Sequence, residues 1–207
     1  MLRPMHFRET FSGRGLSPRI RWRNPPPDYA LTPRGLKVVT AAETDYWQRT
    51  HYGFQVDNGH HLCLPLTGDF TLSTKVISAP KHRYDQAGLL VWLSPDCWLK
   101  TAIEFETSDQ PSRLGAVVTN YGWSDWSTQD VAPDYGAAWF RIVRAQSDYE
   151  VYAAAGDPQR DLPETWTQIR ITHLHEAAGP IHAGLYACSP QKAGFEATFA
   201  WLEIEGT

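Results

Sequence analysis

The sequence predicts an all-β fold, a two-sheet antiparallel β-sandwich or jelly roll. Turn signals recur about every 8 to 15 residues, as in "DNG" at 57–59, "SPD" at 94–96 and "AGDPQ" at 155–159. Short runs rich in β-branched and aromatic residues lie between these turns. No run has the pattern of a helix longer than one or two turns. This combination is typical of a sandwich with nine or more strands.

The predicted elements follow in chain order. Residues 1–24 are locally basic, but Phe11, Leu16, Ile20 and Trp22 are interspersed, which favours a solvated first strand over a nucleic-acid arm. The Pro-rich stretch 24–33, "NPPPDYALTP", indicates an ordered connection between early strands. Nine further runs then predict strands at 70–78, 87–94, 98–107, 113–120, 137–145, 148–155, 166–175, 182–189 and 195–205.

Composition limits the classes of function. The chain has 207 residues and a net charge of −4, so we expect a single domain over residues 1–207 with no bulk attraction to nucleic acid. No run approaches the ~18 apolar residues of a membrane span, and no apolar signal segment opens the chain. Cys63, Cys97 and Cys188 form an odd set without metal-ligand spacing. We therefore expect reduced thiols, a cytoplasmic location, and neither a metal nor another cofactor.

The strand at 97–106 sorts its side chains between two faces. One face carries Cys97, Leu99, Thr101, Ile103 and Phe105 and is expected to be core. The other carries Trp98, Lys100, Ala102, Glu104 and Glu106 and is expected to be wet, forming a groove floor. The sequence does not decide the pairing register between this strand and the strand at 87–94. A two-residue turn at 95–96 would place Val91 opposite Lys100, whereas a bulged turn would shift the pairing by one residue and move Trp92 to the other face.

Two other stretches are candidates for the groove wall. "DYWQRTHYGF" at 45–54 is too polar for a core strand and unusually aromatic for a loop, and it offers Trp47, His51 and Tyr52. His51 has the chemistry of a proton carrier, although a lone histidine more often has a structural hydrogen bond. "DQAGL" at 85–89 places Gln86 at the start of a buried strand, where it could reach the groove.

The stretch "YGWSDWS" at 121–127 concentrates aromatic and polar groups. A ring on a groove rim can stack on the apolar face of a sugar while neighbouring polar groups bind the hydroxyls, so Asn120, Asp125 and Trp126 are candidates. The alternative is that Asp125 caps its own turn and the tryptophans pack in the core. We expect Trp123 to be core and Trp126 to face the groove.

The spacing of two glutamates can be compared with the acid spacing of glycosidases. Glu104 and Glu106 are two residues apart on one face, about 7 Å between Cα atoms, which is within the wider acid spacing of inverting glycosidases. The string from Glu104 to Asp109 departs from the Glu-x-Asp-x-x-Glu strand motif of concanavalin A-like glucanases at its middle and final acids. Glu104 is therefore retained mainly as a binding residue.

Several motifs together resemble a known family. "TDYWQRTHYGF" (44–54), "DNGHHL" (57–62), "DQAGLLVW" (85–92), "WLKTAIEFE" (98–106), "AVVTNYGWSDWS" (116–127) and "ACSP" (187–190) are similar to a concanavalin A-like jelly-roll family of unknown function that includes a fungal regulator of enolase. The opening 9–26 also resembles the β-sandwich appended to bacterial β-xylosidases. The resemblance implies a jelly roll with a concave groove, but it implies no reaction.

We therefore predict a non-catalytic binding module for a small saccharide or sugar-like metabolite, without nucleic-acid or membrane partners. Two alternatives remain. One is a glycoside-active enzyme that uses Glu104 or Asp125 as acid or base. The other is a protein-interaction or regulatory module that acts on a metabolic enzyme. The predicted ligand-binding residues are Trp47, His51, Tyr52, Gln86, Lys100, Glu104, Asn120, Asp125 and Trp126.

Overall fold

The computed structural model describes residues 5–176 and 181–206. These residues form seventeen strands and no helix. In chain order the strands are β1 (His6–Glu9), β2 (Arg21–Asn24), β3 (Asp28–Thr32), β4 (Gly35–Val39), β5 (Tyr46–Gln48), β6 (Gln55–Asp57), β7 (His60–Leu66), β8 (Phe70–Ala79), β9 (Gln86–Ser94), β10 (Cys97–Glu104), β11 (Ser112–Asn120), β12 (Trp123–Val131), β13 (Ala137–Ala145), β14 (Asp148–Gly156), β15 (Thr167–His173), β16 (Ile181–Cys188) and β17 (Glu196–Gly206).

Two large antiparallel sheets form a β-sandwich, as the sequence predicts. Sheet A has the order β15-β14-β13-β8-β17-β4-β3, and β1 pairs with β17. Sheet B has the order β12-β11-β10-β9-β16-β7-β2. The strands β5 and β6 form a separate hairpin. Neighbours such as β8 and β17, or β9 and β16, are distant in the chain, so the sheets are joined by long crossovers of the jelly-roll kind.

The main core lies between the two sheets. It is built from alternate residues of each strand, because successive side chains of a strand point to opposite faces. Sheet B contributes Leu99 and Ile103, and sheet A contributes Phe140, Ile142 and Leu202, all of which are buried in one hydrophobic cluster. The described residues contain no helix with the length and hydropathy that crossing a membrane requires.

The nine strands predicted from residue 70 onward are all present, as β8 to β11 and β13 to β17, with small differences at their ends. The prediction missed β12, where the turn residues Gly122, Ser124 and Asp125 obscured a nine-residue strand. It also left the short strands before residue 67 without bounds. The structure also gives the pairing register between β9 and β10.

The β9–β10 hairpin has a two-residue turn at 95–96 followed by a bulge. Cys97 pairs with Ser94, and the register shifts between Cys97 and Trp98. As a result Trp98 pairs with Trp92, and Lys100 pairs with Leu90 rather than Val91. The bulge therefore places both tryptophans on the outer face of sheet B, the face turned away from sheet A.

The expectation that the outer face of β10 is wet is wrong. Trp98, Lys100 and Ala102 are only 0%, 4% and 7% exposed. A second hydrophobic cluster covers this face, and it includes Tyr46 and Trp47 from β5. The β5–β6 hairpin packs onto sheet B, a long-range contact that the pattern of a single strand does not reveal. The predicted core face of β10 is confirmed for Cys97, Leu99, Thr101 and Ile103, whereas Phe105 follows the end of the strand and is half-buried.

The hairpin between β11 and β12 explains the "YGWSDWS" stretch. Tyr121 and Gly122 have φ values of 53° and 73°, and they form the two-residue turn typical of a tight hairpin with positive φ at both positions. The expectation that Trp123 packs in the core is wrong, because it is 59% exposed at the start of the edge strand β12. Trp126 lies on the opposite face of β12 and pairs with Val117.

Candidate functional site

A cavity of about 440 Å³ lies on the outer face of sheet B. This volume is within the usual range of small-ligand sites, roughly 300–1,000 Å³. Strands β9 to β12 and β16 form its floor, and the β5–β6 hairpin with two short segments near residues 43–45 and 190–191 forms its walls. The lining residues are Glu43, Asp45, Trp47, Tyr52, Phe54, Val56, Tyr84, Gln86, Lys100, Ala102, Glu104, Arg113, Gly115, Val117, Trp126, Tyr186, Pro190 and Gln191.

Small residues create the depth of the cavity. Ala102 lies opposite Gly88 on β9 and Gly115 on β11. A Cβ atom on either glycine would collide with a backbone carbonyl oxygen of the neighbouring strand. Gly88 and Gly115 therefore have to remain glycines, while the outer-face residues of β10 on either side of Ala102 are Lys100 and Glu104. The floor is a short apolar strip with one long polar side chain at each end.

Aromatic rings form one side of the cavity. The ring of Trp47 lies 6.4 Å from Trp126, edge to face, and 5.5 Å from Tyr52. Tyr52 in turn stacks on Phe54 at 5.9 Å. The indole N–H of Trp47 donates to the carbonyl oxygen of Thr50, which fixes the ring against its own loop. Tyr52 and Phe54 are 57% and 46% exposed, so the rim of this wall is open to ligands or partners.

Lys100 is held in a buried ion pair at one end of the floor. Its Nζ atom lies 2.8 Å from Oδ1 of Asp45, and the same oxygen accepts the backbone N–H of Tyr46 at 2.7 Å. Burial is the largest influence and works against the charge of Lys100, but the charge and hydrogen bond of Asp45, together with Cys188 and Glu104, outweigh it, so the pKa of Lys100 lies above its ordinary value. The cavity floor thus keeps a fixed cation next to a carboxylate.

Glu104 ends a hydrogen-bonded chain at the other end of the floor. The hydroxyl of Tyr186 donates to Oε1 of Gln86 at 2.9 Å, and Nε2 of Gln86 donates to Oε2 of Glu104 at 2.8 Å. Burial raises the pKa of Glu104 to about 8, although Lys100 acts in the opposite direction. Much of Glu104 is therefore protonated near neutral pH, and its hydroxyl can donate a hydrogen bond as well as accept one.

Glu106, which the sequence placed on the same strand face as Glu104, forms ion pairs at the rim of the cavity. Glu106 follows the end of β10, and its oxygens lie 2.6 Å from Nε of Arg83 and 3.9 Å from Nε of Arg113. Arg113 also pairs with Asp130 on β12. Glu106 serves as a link between arginines and does not line the cavity, so the two glutamates do not face a common space.

The structure brings six of the nine predicted binding residues together and places three elsewhere. Those around the cavity are Trp47, Tyr52, Gln86, Lys100, Glu104 and Trp126. His51 lies in the same loop, with its ring 4.8 Å from Tyr52, but outside the lining. Asp125 lies on the face of β12 opposite Trp126, where it pairs with Arg170 at 2.9 Å.

Asn120 has a structural set of hydrogen bonds at the end of β11. Its amide nitrogen donates to the carbonyl oxygen of His173, and its oxygen accepts from the backbone N–H and Nδ1 of His175. These bonds join the β11–β12 turn to the segment after β15. They leave Asn120 outside the cavity.

Sequence reasoning missed the two residues that complete the polar floor. Asp45 lies 55 positions from Lys100 and belongs to the motif "TDYW", but nothing local indicates its partner. Tyr186 is in the predicted strand 182–189, and only the register of β16 against β9 reveals that it faces the cavity. Both depend on contacts between distant segments.

A second buried polar cluster lies on the same face of sheet B, outside the cavity. His61 is 0% exposed, and neither of its ring nitrogens has a hydrogen-bond partner within the described ranges. Burial lowers the pKa of His61 to about 3, and the positive charge of Arg23 acts in the same direction. The guanidinium of Arg23 stacks over Trp92 at 3.6 Å. His61 is therefore neutral at physiological pH.

Among the described residues, two groups of three side chains have their metal-ligand atoms within 4.8 Å of one another, and neither group lines the cavity. They are Cys97 with His175 and Glu176, and His6 with Glu203 and Glu205. The second group lies on a surface between β1 and β17, where Nε2 of His6 is already within 3.2 Å of Oε1 of Glu203.

Comparison with known proteins identifies relatives of the chain. A family profile described as "Protein of unknown function (DUF1349)" matches residues 22–207. Regulation of enolase protein 1 of Saccharomyces cerevisiae is 31% identical over 183 residues, which cover 86% of this chain and 85% of the yeast protein. The crystal structure of a functionally unknown protein from Saccharomyces cerevisiae matches with 28% identity and a TM-score of 0.80, covering 91% of this chain and 97% of that chain.

A more distant likeness concerns the fold alone. Xylan β-1,4-xylosidase from Bacillus halodurans matches with 12% identity and a TM-score of 0.69. The match covers 96% of this chain and 38% of the xylosidase chain. Together these comparisons confirm the resemblance inferred from the sequence motifs.

Proposed function

The chain belongs to the DUF1349 family, and from that premise we propose that it is a ligand-binding protein whose cavity takes a small saccharide or a sugar-like metabolite. The observation that carries the proposal is the pairing of an aromatic wall with a small apolar floor that has a polar side chain at each end, in one cavity of about 440 Å³. Such a combination of apolar lining and few convergent polar groups is typical of small-ligand sites.

Each part of the cavity has a role that matches the chemistry of a sugar. The apolar face of a pyranose ring would stack on Trp126 and Tyr52, because flat rings bury its C–H groups at low entropic cost. Lys100 would donate to hydroxyl oxygens. Glu104, with a pKa near 8, would accept from one hydroxyl or donate to another, and Gln86 would fix its orientation.

The dimensions favour a small ligand over a polymer. The cavity is bounded by the β5–β6 hairpin and by the segment around Pro190 and Gln191. The three cysteines are free and buried, which supports a cytoplasmic location, where soluble sugars and sugar phosphates are available. We expect the affinity for such a ligand to be between about millimolar and micromolar, or about 4–8 kcal/mol.

A thermal-shift screen with a panel of monosaccharides, sugar phosphates and polyols tests the proposal. A ligand at 100 times its dissociation constant should stabilise the protein by about 2.7 kcal/mol. Trp126→Ala should abolish the shift. Trp123→Ala is the matched control, because it removes the same ring from the opposite face of β12.

Two results would count against this proposal. One is a panel that gives no saturable shift. The other is a set of hits that persist in Trp126→Ala and Glu104→Gln, because such ligands bind elsewhere.

A second candidate function is binding to a metabolic enzyme. It is favoured by the name of the yeast relative, which says that this protein regulates enolase, and by the exposed stack of Tyr52 and Phe54 at the rim. Exposed aromatic residues are enriched at protein interfaces. Calorimetry with purified enolase tests it, with Tyr52→Ala and Phe54→Ala as interface variants and Tyr29→Ala, an exposed tyrosine on β3, as the control. No heat of binding with the wild-type chain would exclude this partner.

A further inference from the structure

Three side chains of metal-ligand type converge at one end of sheet B, outside the cavity. Cys97 begins β10, and His175 and Glu176 follow the end of β15. One ligand atom from each lies within 4.8 Å of the other two. We propose that these three residues form a binding site for a divalent transition-metal ion of the zinc type.

The hydrogen bonds around His175 involve Nδ1 and leave Nε2 available to bind a metal ion. The amide of Asn120 has a fixed orientation, because Nδ2 donates to the carbonyl oxygen of His173 at 2.7 Å and Oδ1 accepts the backbone N–H of His175 at 2.9 Å. Oδ1 also lies 2.9 Å from Nδ1 of His175. Since an amide oxygen only accepts, Nδ1 carries the proton and Nε2 keeps its lone pair.

This arrangement is the one that metal-binding histidines use. Such a histidine usually donates its second ring N–H to a carbonyl or carboxylate, which sets the tautomer and the direction of the ring. The ring of Tyr121 lies 3.8 Å from that of His175 and restricts it further. The Nε2 atom lies 3.7 Å from Oε1 of Glu176, so it already points at the second ligand.

The other two ligands are supported from opposite sides. The hydroxyl of Ser94 donates to Oε1 of Glu176. Cys97 is buried and would supply its sulfur from beneath, while the side chains of His175 and Glu176 are 17% and 36% exposed. An ion could therefore enter from solvent and meet the sulfur at the base of the site.

The donor set selects for a particular class of metal. Thiolate, imidazole and carboxylate together suit Zn²⁺ and related ions, whereas Mg²⁺ and Ca²⁺ prefer oxygen ligands. Zinc bonds are about 2.0–2.3 Å long, so three ligands of a tetrahedral site lie roughly 3.3–3.8 Å apart. Closing from 4.8 Å or less requires only small side-chain movements.

Binding would change the chemistry of the ligands in a defined way. The thiol of Cys97 would lose its proton to solvent as the sulfur–metal bond forms. His175 would contribute the lone pair of Nε2, Glu176 would contribute a carboxylate oxygen, and water would complete the fourth position. The ion would tie β10 of sheet B to the segment that leaves β15 of sheet A, linking the two sheets at this end of the sandwich.

Titration of metal-free protein with Co²⁺ tests the site, because cobalt bound to a thiolate gives a charge-transfer band in the near ultraviolet. We expect one ion per chain with this band, and its displacement by Zn²⁺. Cys97→Ser should remove the band, and Glu176→Gln, a change at the surface, should weaken binding at least ~10-fold. Asn120→Ala should weaken it ~10–100-fold by releasing the tautomer of His175.

Matched controls separate this site from other metal contacts. Cys63→Ser changes a second buried cysteine, and His173→Gln changes a histidine two positions away that pairs with Asp148. Both should bind as the wild type does. No thiolate band at Co²⁺ concentrations on the order of millimolar would overturn the proposal, and so would a band that persists in Cys97→Ser. Binding at the His6 group would lack the band.

Discussion

Glu104→Gln should remove a pH dependence from the stability of the fold. Burial raises the pKa of Glu104 to about 8 from an ordinary value of 4.5. The folded chain therefore holds this proton at pH values where the unfolded chain has released it. The stabilisation is complete below pH 4.5 and is lost as the pH rises through about 8. Glutamine can still accept the hydrogen bond from Gln86, but it has no proton to lose.

The magnitude follows from the size of the shift. Each pH unit within the window changes the free energy of unfolding by about 1.4 kcal/mol. Because His61, with a pKa near 3 in the folded state, changes the stability only below its ordinary value of 6.5, the range from pH 6.5 to 8 isolates Glu104. Over that range the wild type should lose about 1.5 kcal/mol relative to the variant, once the levelling near pH 8 is included.

Urea unfolding followed by tryptophan fluorescence measures this difference. With a slope of about 2 kcal/mol per molar urea, the separation between the two midpoints should change by about 0.7 M from pH 6.5 to pH 8. Glu205→Gln, on the exposed part of β17, controls for the removal of a negative charge. If the two midpoints keep a constant separation, Glu104 is already ionised at pH 6.5 and the account of its burial is wrong.

Three further predictions concern the same face of sheet B. Lys100→Met should lower the free energy of unfolding by about 3–5 kcal/mol, because it leaves Asp45 without its buried partner. Adding Asp45→Asn to Lys100→Met should recover part of that loss. A cost of Lys100→Met below about 1 kcal/mol would show that the ion pair is dispensable. Between pH 6.5 and 5 the contributions of His61 and Glu104 to stability have opposite signs and nearly cancel in the wild type. His61→Leu removes one of them, so the variant should gain about 1.3 kcal/mol per pH unit as the pH falls over this range, and equal slopes for variant and wild type in urea titrations would contradict this. Ala102→Leu should fill the cavity floor and weaken any ligand found in the screen at least ~10-fold with little change in Tm, whereas unchanged affinity in calorimetry would place the ligand elsewhere.

The strands could be predicted because their signal is local. Alternating side chains and turn residues define β13 and β14 almost to the residue, and the core face of β10 follows from the same alternation. The two-residue alternation also places Asp125 and Trp126 on opposite faces once β12 is recognised as a strand. Treating that stretch as a turn hid this consequence.

The covering of the outer face could not be predicted, because it depends on contacts between distant segments. A strand with Trp98, Lys100 and Glu104 on one face has the pattern of a solvated surface. Only the docking of the β5–β6 hairpin, which brings Asp45 to Lys100, turns that surface into a partly buried cavity. Asn120 is a similar case, because its polar type was recognised but its partners after β15 were not.

The position of a bound sugar can be read directly from the indole N–H signals of the nine tryptophans in two-dimensional NMR. When a hit from the ligand screen is titrated, the signals of Trp126 and Trp47 should shift and saturate together, while those of Trp123 and the buried Trp139 stay in place. Saturable shifts confined to Trp123, or binding that leaves both cavity tryptophans unchanged, would contradict the assignment of the outer-face cavity as the ligand site.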